Sequence, residues 1–262
     1  MYKDPFTRIK TMPVPVALVI FMSAFLSPPL SLPAQAQETP PCAVADKPCL
    51  MREIETLTPK IEKTSWQDKT YRELAKTYCY EGRPDDAIAL IAKIQNPDTK
   101  AMTIRGIGFA AADSKWPKEE YAPLFEKLAI EAKKIDHAPS QGIAWTYIAM
   151  AQALAGDDKG ATLTARAMEN DALRHKAFGE SAEIQAERGD YDAAMASISE
   201  IETVSFRNKA YRITSKIFAD RGRLEEAYKT ARKIDNPYTR AQALQQILNH
   251  GNPEEDQSRY EK

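Results

Sequence analysis

Glycines punctuate the sequence at a fixed interval, and that interval limits the fold more than any other feature. Gly156, Gly189 and Gly222 lie 33 residues apart, and Gly82 opens an equivalent segment earlier. Five residues after each comes an alanine (Ala87, Ala161, Ala194, Ala227), and twelve after comes Ile94, Met168, Ile201 or Ile234. Eleven before each stands an aromatic residue (Tyr71, Trp145, Phe178, Tyr211), and seven before a small one (Ala75, Ala149, Ala182, Ser215). Residues 60–82 and 200–222 share eight identities in twenty-three positions. Self-similarity at this period marks a stack of supersecondary units, none of which can bury its apolar stripe alone.

Each unit reads as a helical hairpin. Aromatic, small and apolar residues at i, i+4 and i+7 define one helix face, and the glycine suits a left-handed C-terminal bend. A second helix follows, with alanine and isoleucine four apart. Asn96-Pro97 and Asn236-Pro237 are read as stops for two of these second helices. Few glycines and many Ala, Glu, Lys and Arg favour helix throughout.

The segment Tyr71-x-x-Leu74-Ala75-x-x-Tyr78, followed by Ala87-x-x-x-Ile91, resembles the tetratricopeptide repeat signature. The resemblance covers roughly residues 50–249 and implies an all-α, right-handed α-solenoid of helix-turn-helix repeats. The sequence departs from that signature: the small position is Ala or Ser, and the terminal Pro is out of register. Residues 50–62 read as the second helix of a damaged first repeat. Between Asp113, taken as the second bend, and Gly156 the spacing stretches to 43, which makes the 114–136 helix about ten residues longer. That helix, with Trp116, Tyr121, Pro123 and Phe125, is either a structural adjustment or a contact site.

The N-terminus carries Lys3, Arg8 and Lys10, an apolar run Val16–Leu26 and the small-x-small triplet Ala34-Gln35-Ala36. This is the pattern of a secretory signal over residues 1–36; eleven apolar residues fall short of the ~20 that span a bilayer. Its removal takes away three of 36 Lys/Arg and one of 37 Asp/Glu, leaving a net charge of −3. That balance speaks against nucleic acid as a partner and against attachment to an anionic membrane by bulk charge. The expected location is the periplasm, with outright secretion as the alternative. Residues 37–49 read as a Pro-rich linker, and residues 250–262 as a flexible polar tail. Cys42 and Cys49 are disulfide candidates in an exported chain, with pairing to Cys79 left open.

Lys69, Arg72 and Lys76, and again Lys209, Arg212 and Lys216, repeat as charged trios on a first-helix face. The opening cation recurs as Lys100, Lys176 and Arg240, and Ile143 interrupts the row. A cation in the first turn opposes the helix dipole by about 0.3–1 kcal/mol, so its repetition asks for a reason. One reason is salt bridging, Asp98 to Lys100 or Glu202 to Lys209. The other follows from the resemblance, which places first helices on a concave surface: a basic groove binding a partner protein or acidic peptide. Tyr147 and Met150 would add an apolar patch there. The resulting expectation is a protein–protein interaction module (adaptor, assembly factor or holdase) without cofactor or metal. An enzyme or small-ligand receptor using the trough is the alternative, and self-association through uncapped ends is a third. His137, His175 and His250 stand far apart in the sequence, and no nucleophile or phosphate-loop motif occurs.

Overall fold

The structure, a computed structural model, describes residues 42–251. The expected signal segment and the tail beyond residue 251 lie outside them. The described residues form an all-α fold without strands: α1 (Lys47–Leu57), α2 (Thr64–Tyr80), α3 (Pro84–Ile91), α4 (Pro97–Asp113), α5 (Lys118–Lys133), α6 (Ala138–Ala155), α7 (Asp158–Arg166), α8 (Asp171–Glu187), α9 (Tyr191–Ser199), α10 (Val204–Asp220), α11 (Leu224–Ala231) and α12 (Pro237–Leu248). Long helices of 17 or 18 residues (α2, α4, α6, α8, α10) alternate with partners of 8 or 9, except α5 with 16. The long helices pack in chain order, α2 on α4 through to α10 on α12, and each packs on its partner.

The recurring glycines occupy the bends. Gly82, Gly156, Gly189 and Gly222 have φ of 72°, 85°, 83° and 74°. In each, the bend N–H reaches back three residues and the next N–H five, as in Gly82 to Cys79 O and Arg83 to Tyr78 O. This Schellman arrangement satisfies carbonyls that the helix end would otherwise orphan. The second repeat differs from the sequence expectation. Its left-handed residue is Lys115 (φ 53°), not Asp113, and it makes the same two bonds, to Ala112 O and Ala111 O. Lys115 lies 33 residues after Gly82, so the period holds there. The extra length falls wholly in α5, which at 16 residues is eight longer than α3 or α11. Tyr121 and Phe125 of α5 are buried with ring centroids 5.6 Å apart, so these aromatics serve the core.

Two further corrections concern helix starts. Asn96-Pro97 and Asn236-Pro237 begin α4 and α12 and do not end the preceding helices. Each asparagine Oδ1 accepts from the N–H three residues on, and proline at the first position costs no hydrogen bond. The expected 37–49 linker is already helical from Lys47, capped by Asp46. A Cys42–Cys49 disulfide closes this start, Cα to Cα 5.7 Å. Cys79 is a free, buried thiol; its Sγ donates to Ile107 O, and burial pushes its pKa to about 12.

A second repeated bond joins successive hairpins. Gln67, Gln141, Arg174, Arg207 and Arg240 each donate to the backbone carbonyl six residues earlier: Ile61, Ile135, Met168, Ile201 and Ile234, at 2.6–3.1 Å. The last four of those acceptor residues are buried, and their carbonyls fall where the chain is neither helix nor turn-bonded. The core consists of two clusters, one mainly of α1–α6 and one of α6–α12; Trp145 packs against both.

A short, rigid side chain of the next repeat closes on Gly108, which stands seven residues before the Lys115 bend. A Cβ there would lie 2.8 Å from Ala151 Cβ, whereas at Gly106 the nearest atom is 3.7 Å away. Gly108→Ala is therefore expected to destabilise by about 1–2 kcal/mol net of its helix-propensity gain, and Gly106→Ala to be neutral or mildly stabilising. Lys115→Gly relieves a left-handed non-glycine residue and should add about 0.5–1 kcal/mol after glycine's own entropy cost, a Tm rise of roughly 1–4 °C. Thermal melts of the three variants check both signs.

Candidate functional site

With Lys115 as the second bend, the cationic row reads differently. Thirteen residues ahead of each bend stand Lys69, Met102, Ile143, Lys176 and Lys209; ten ahead stand Arg72, Arg105, Thr146, Gly179 and Arg212. Lys100 and Arg240 leave this row. Lys100 occupies the position of Gln67 and Arg174, fifteen ahead of the bend, where the side chain reaches back to a linker carbonyl, and Arg240 stands 33 residues after Arg207 of the same position. Arg240 makes that bond to Ile234 O. Arg105, overlooked in the sequence, takes the place of Arg72 and Arg212.

The two trios stand on α2 and α10, with α4, α6 and α8 between them in packing order. On α2, Arg72 donates to Glu73 through Nε and Nη2 (2.9 and 2.7 Å), and the Lys76 ammonium lies 5.7 Å from the Tyr80 ring. Lys69 borders a hollow of about 340 Å³ with Ile54 and Leu74. Arg105 sits over Phe109 (4.4 Å) and Tyr147 (5.6 Å), so Tyr147 already holds a cation of its neighbour helix; Met150 is half-buried. Lys216 donates to Asp220, and Arg212 borders an opening between α10 and α12. The two salt bridges considered from sequence do not form. Asp98 accepts from Ser140 Oγ, and Glu202 lies 3.9 Å from Arg174.

A distinct site opens between α8 and α10. Gly179 occupies the place that Arg72, Arg105 and Arg212 fill elsewhere, and the absent side chain leaves a pocket of about 360 Å³. Leu173, Phe206 and Ile213 form its apolar walls, and Lys176 and Lys209 stand exposed at its rim. Neither lysine makes an ion pair among the described residues. Glu180 and Glu183 also line it without hydrogen bond or ion pair. Burial, and then the neighbouring Glu180 charge, raise the Glu183 pKa to about 7, against the pull of Lys209. His175 completes the lining. Its position belongs to Asp68 in α2 and Asn208 in α10, whose side chains accept from the Gln95, Asn96 and Asp235 amides. His175 is 4% exposed, its ring lies 5.7 Å from that of Phe206 at a 49° tilt, and its Nε2 has no partner. Sequence reading found the two lysines but not the pocket, because a missing side chain at Gly179 becomes a cavity only when α8 is packed on α10.

Among the described residues no three metal-ligating side chains converge, and no helix is long and apolar enough to cross a membrane. No family model and no curated protein matches the chain. Among solved structures it is similar to the crystal structure of Ton1535 from Thermococcus onnurineus NA1, at 13% identity over 76% of this chain and 84% of that chain. The TM-score of 0.24 carries no argument.

Glu183 gives this site a signature in stability. Its folded pKa lies above the ordinary carboxyl value of 4.5, so the folded chain holds a proton that the unfolded chain has lost. Its contribution is fully present below pH 4.5 and falls away as pH rises to about 7. The Tm advantage of Glu183→Gln over wild type should therefore be smallest near pH 4.5, grow to pH 7 and level off above it. Paired melts across this range measure it.

Proposed function

We propose that this chain is an exported, right-handed α-solenoid of tetratricopeptide-like repeats that binds an extended segment of a partner protein along its first-helix face. In this reading it is an adaptor, assembly factor or holdase of the cell envelope, periplasmic or secreted. The supporting observation is the α8–α10 pocket: a hollow with apolar walls and two carboxyls between long helices of the second core cluster, rimmed by two lysines without ion-pair partners among the described residues. Apolar walls supply burial, and rim charges select acidic neighbours and speed encounter. The ordered packing of long helices on long helices and the left-handed bends support the solenoid. The Cys42–Cys49 disulfide suits an oxidising compartment.

A second reading, a small-ligand receptor, is favoured by one observation, the buried His175 beside a carboxyl of raised pKa. Selection of displayed random peptides against the immobilised protein separates the two. Wild type is expected to enrich peptides rich in Asp and Glu around a fixed central position. Lys176→Glu with Lys209→Glu should cut their binding by about tenfold or more, ~1.4 kcal/mol. No enrichment, or enrichment indifferent to the double reversal, refutes the partner-segment reading.

A further inference from the structure

The geometry points to the α8–α10 pocket as the seat of one basic side chain, Lys or Arg, of the bound segment, with acidic neighbours of that residue meeting Lys176 and Lys209. The inference rests on the partner-segment reading above and names what the pocket selects. Its interior and its rim carry opposite requirements. Inside, the Glu180 and Glu183 carboxyls have no hydrogen bond or ion pair, and His175 Nε2 is buried and unpartnered. At the rim neither lysine closes an ion pair among the described residues, although Lys209 acts on Glu183 from a distance.

An acidic side chain entering the pocket would meet the lysines only by lying against two carboxylates. A purely apolar one would bury Glu183 further without a partner, which costs free energy. A Lys or Arg side chain suits both the apolar walls and the two carboxyls. Its methylenes lie along Leu173 and Ile213, its head reaches the two carboxyls, and a guanidinium can stack on Phe206. Gly179 gives the passage: the nearest atom to a Cβ built there is Ala210 Cβ at 3.9 Å, so the floor is not closed by backbone.

Proton linkage gives an independent readout. Glu180 from the same helix and Lys209 from α10 are the charges acting on Glu183, and His175 and Lys176 complete the titratable lining. A cation beside Glu183 draws its pKa down from about 7, so binding expels a proton and tightens as pH rises through that value.

The test uses the purified full chain and capped synthetic peptides, with acidic residues flanking a central Arg, citrulline, Leu or Glu. Titration calorimetry is run on either side of neutrality in buffers of differing ionisation heat. The Arg peptide is expected to bind at least about tenfold tighter than its neutral isostere citrulline, and to release protons near neutrality. Glu183→Gln should abolish the release, and Gly179→Leu should erase the preference for Arg while circular dichroism shows the fold intact. Equal binding of the Arg, citrulline and Leu peptides overturns this inference alone, since the partner-segment reading survives it. Failure of every peptide, together with an empty display selection, sinks both.

Discussion

Among the described residues, five long helices hand over to their partners through a single residue in the left-handed conformation, and the rest of the arrangement depends on that choice. The bend residue places two amides over the last carbonyls of the long helix, so the chain leaves each helix at a set angle and its partner starts within two or three residues. Once that angle is repeated, the small residue seven positions earlier always faces the partner, and buried Ala75, Ala149, Ala182 and Ser215 follow. Ser215 shows the tightness: its hydroxyl donates to the Ala227 carbonyl of the opposing helix. Packing and hydrogen bonding therefore agree at each level, the condition for a single well-defined fold.

The hairpins were legible in the sequence wherever the bend was glycine. They slipped where it was Lys115, because two other signs changed in the same repeat. Ile104 stands where the others have an aromatic residue, and Gly108 where they have alanine or serine. Gly108 is dictated by the approach of Ala151, a contact between repeats that no local pattern encodes. A slip of two residues moved Lys100 into a row to which it does not belong and hid Arg105. The Asn-Pro pairs were misread for a simpler reason. Proline after asparagine punctuates equally well before or behind, and only the cap bonds to Thr99 and Thr239 decide.

The site was half legible for a related reason. Charges announce themselves, and Lys176 and Lys209 were visible as members of a periodic row. Their surroundings were not, because the pocket is made by what is missing from Gly179 and by a histidine standing where Asp68 and Asn208 tie down linkers. The first-helix face is thus not a uniform basic strip: Glu73, Glu180 and Glu183 interleave with its cations, and Arg72 and Arg105 are engaged locally. Selectivity on such a surface comes from the pattern of alternating sign rather than from net charge.

The two ends of the helix array are anchored unequally. At one end the disulfide grips the opening turn of α1, and Lys47 reaches Glu81 across the next hairpin. At the other, α12 has Ala243 as its buried residue, while Tyr238 and Leu248 stand open to solvent. Where each element leans mainly on its neighbours, order is lost by peeling from a margin inward. Fraying can begin at either margin, since α1 and α12 each bury a single residue, Met51 and Ala243, and an occupant lodged between α8 and α10 would act as the clasp at which it halts on the C-terminal side.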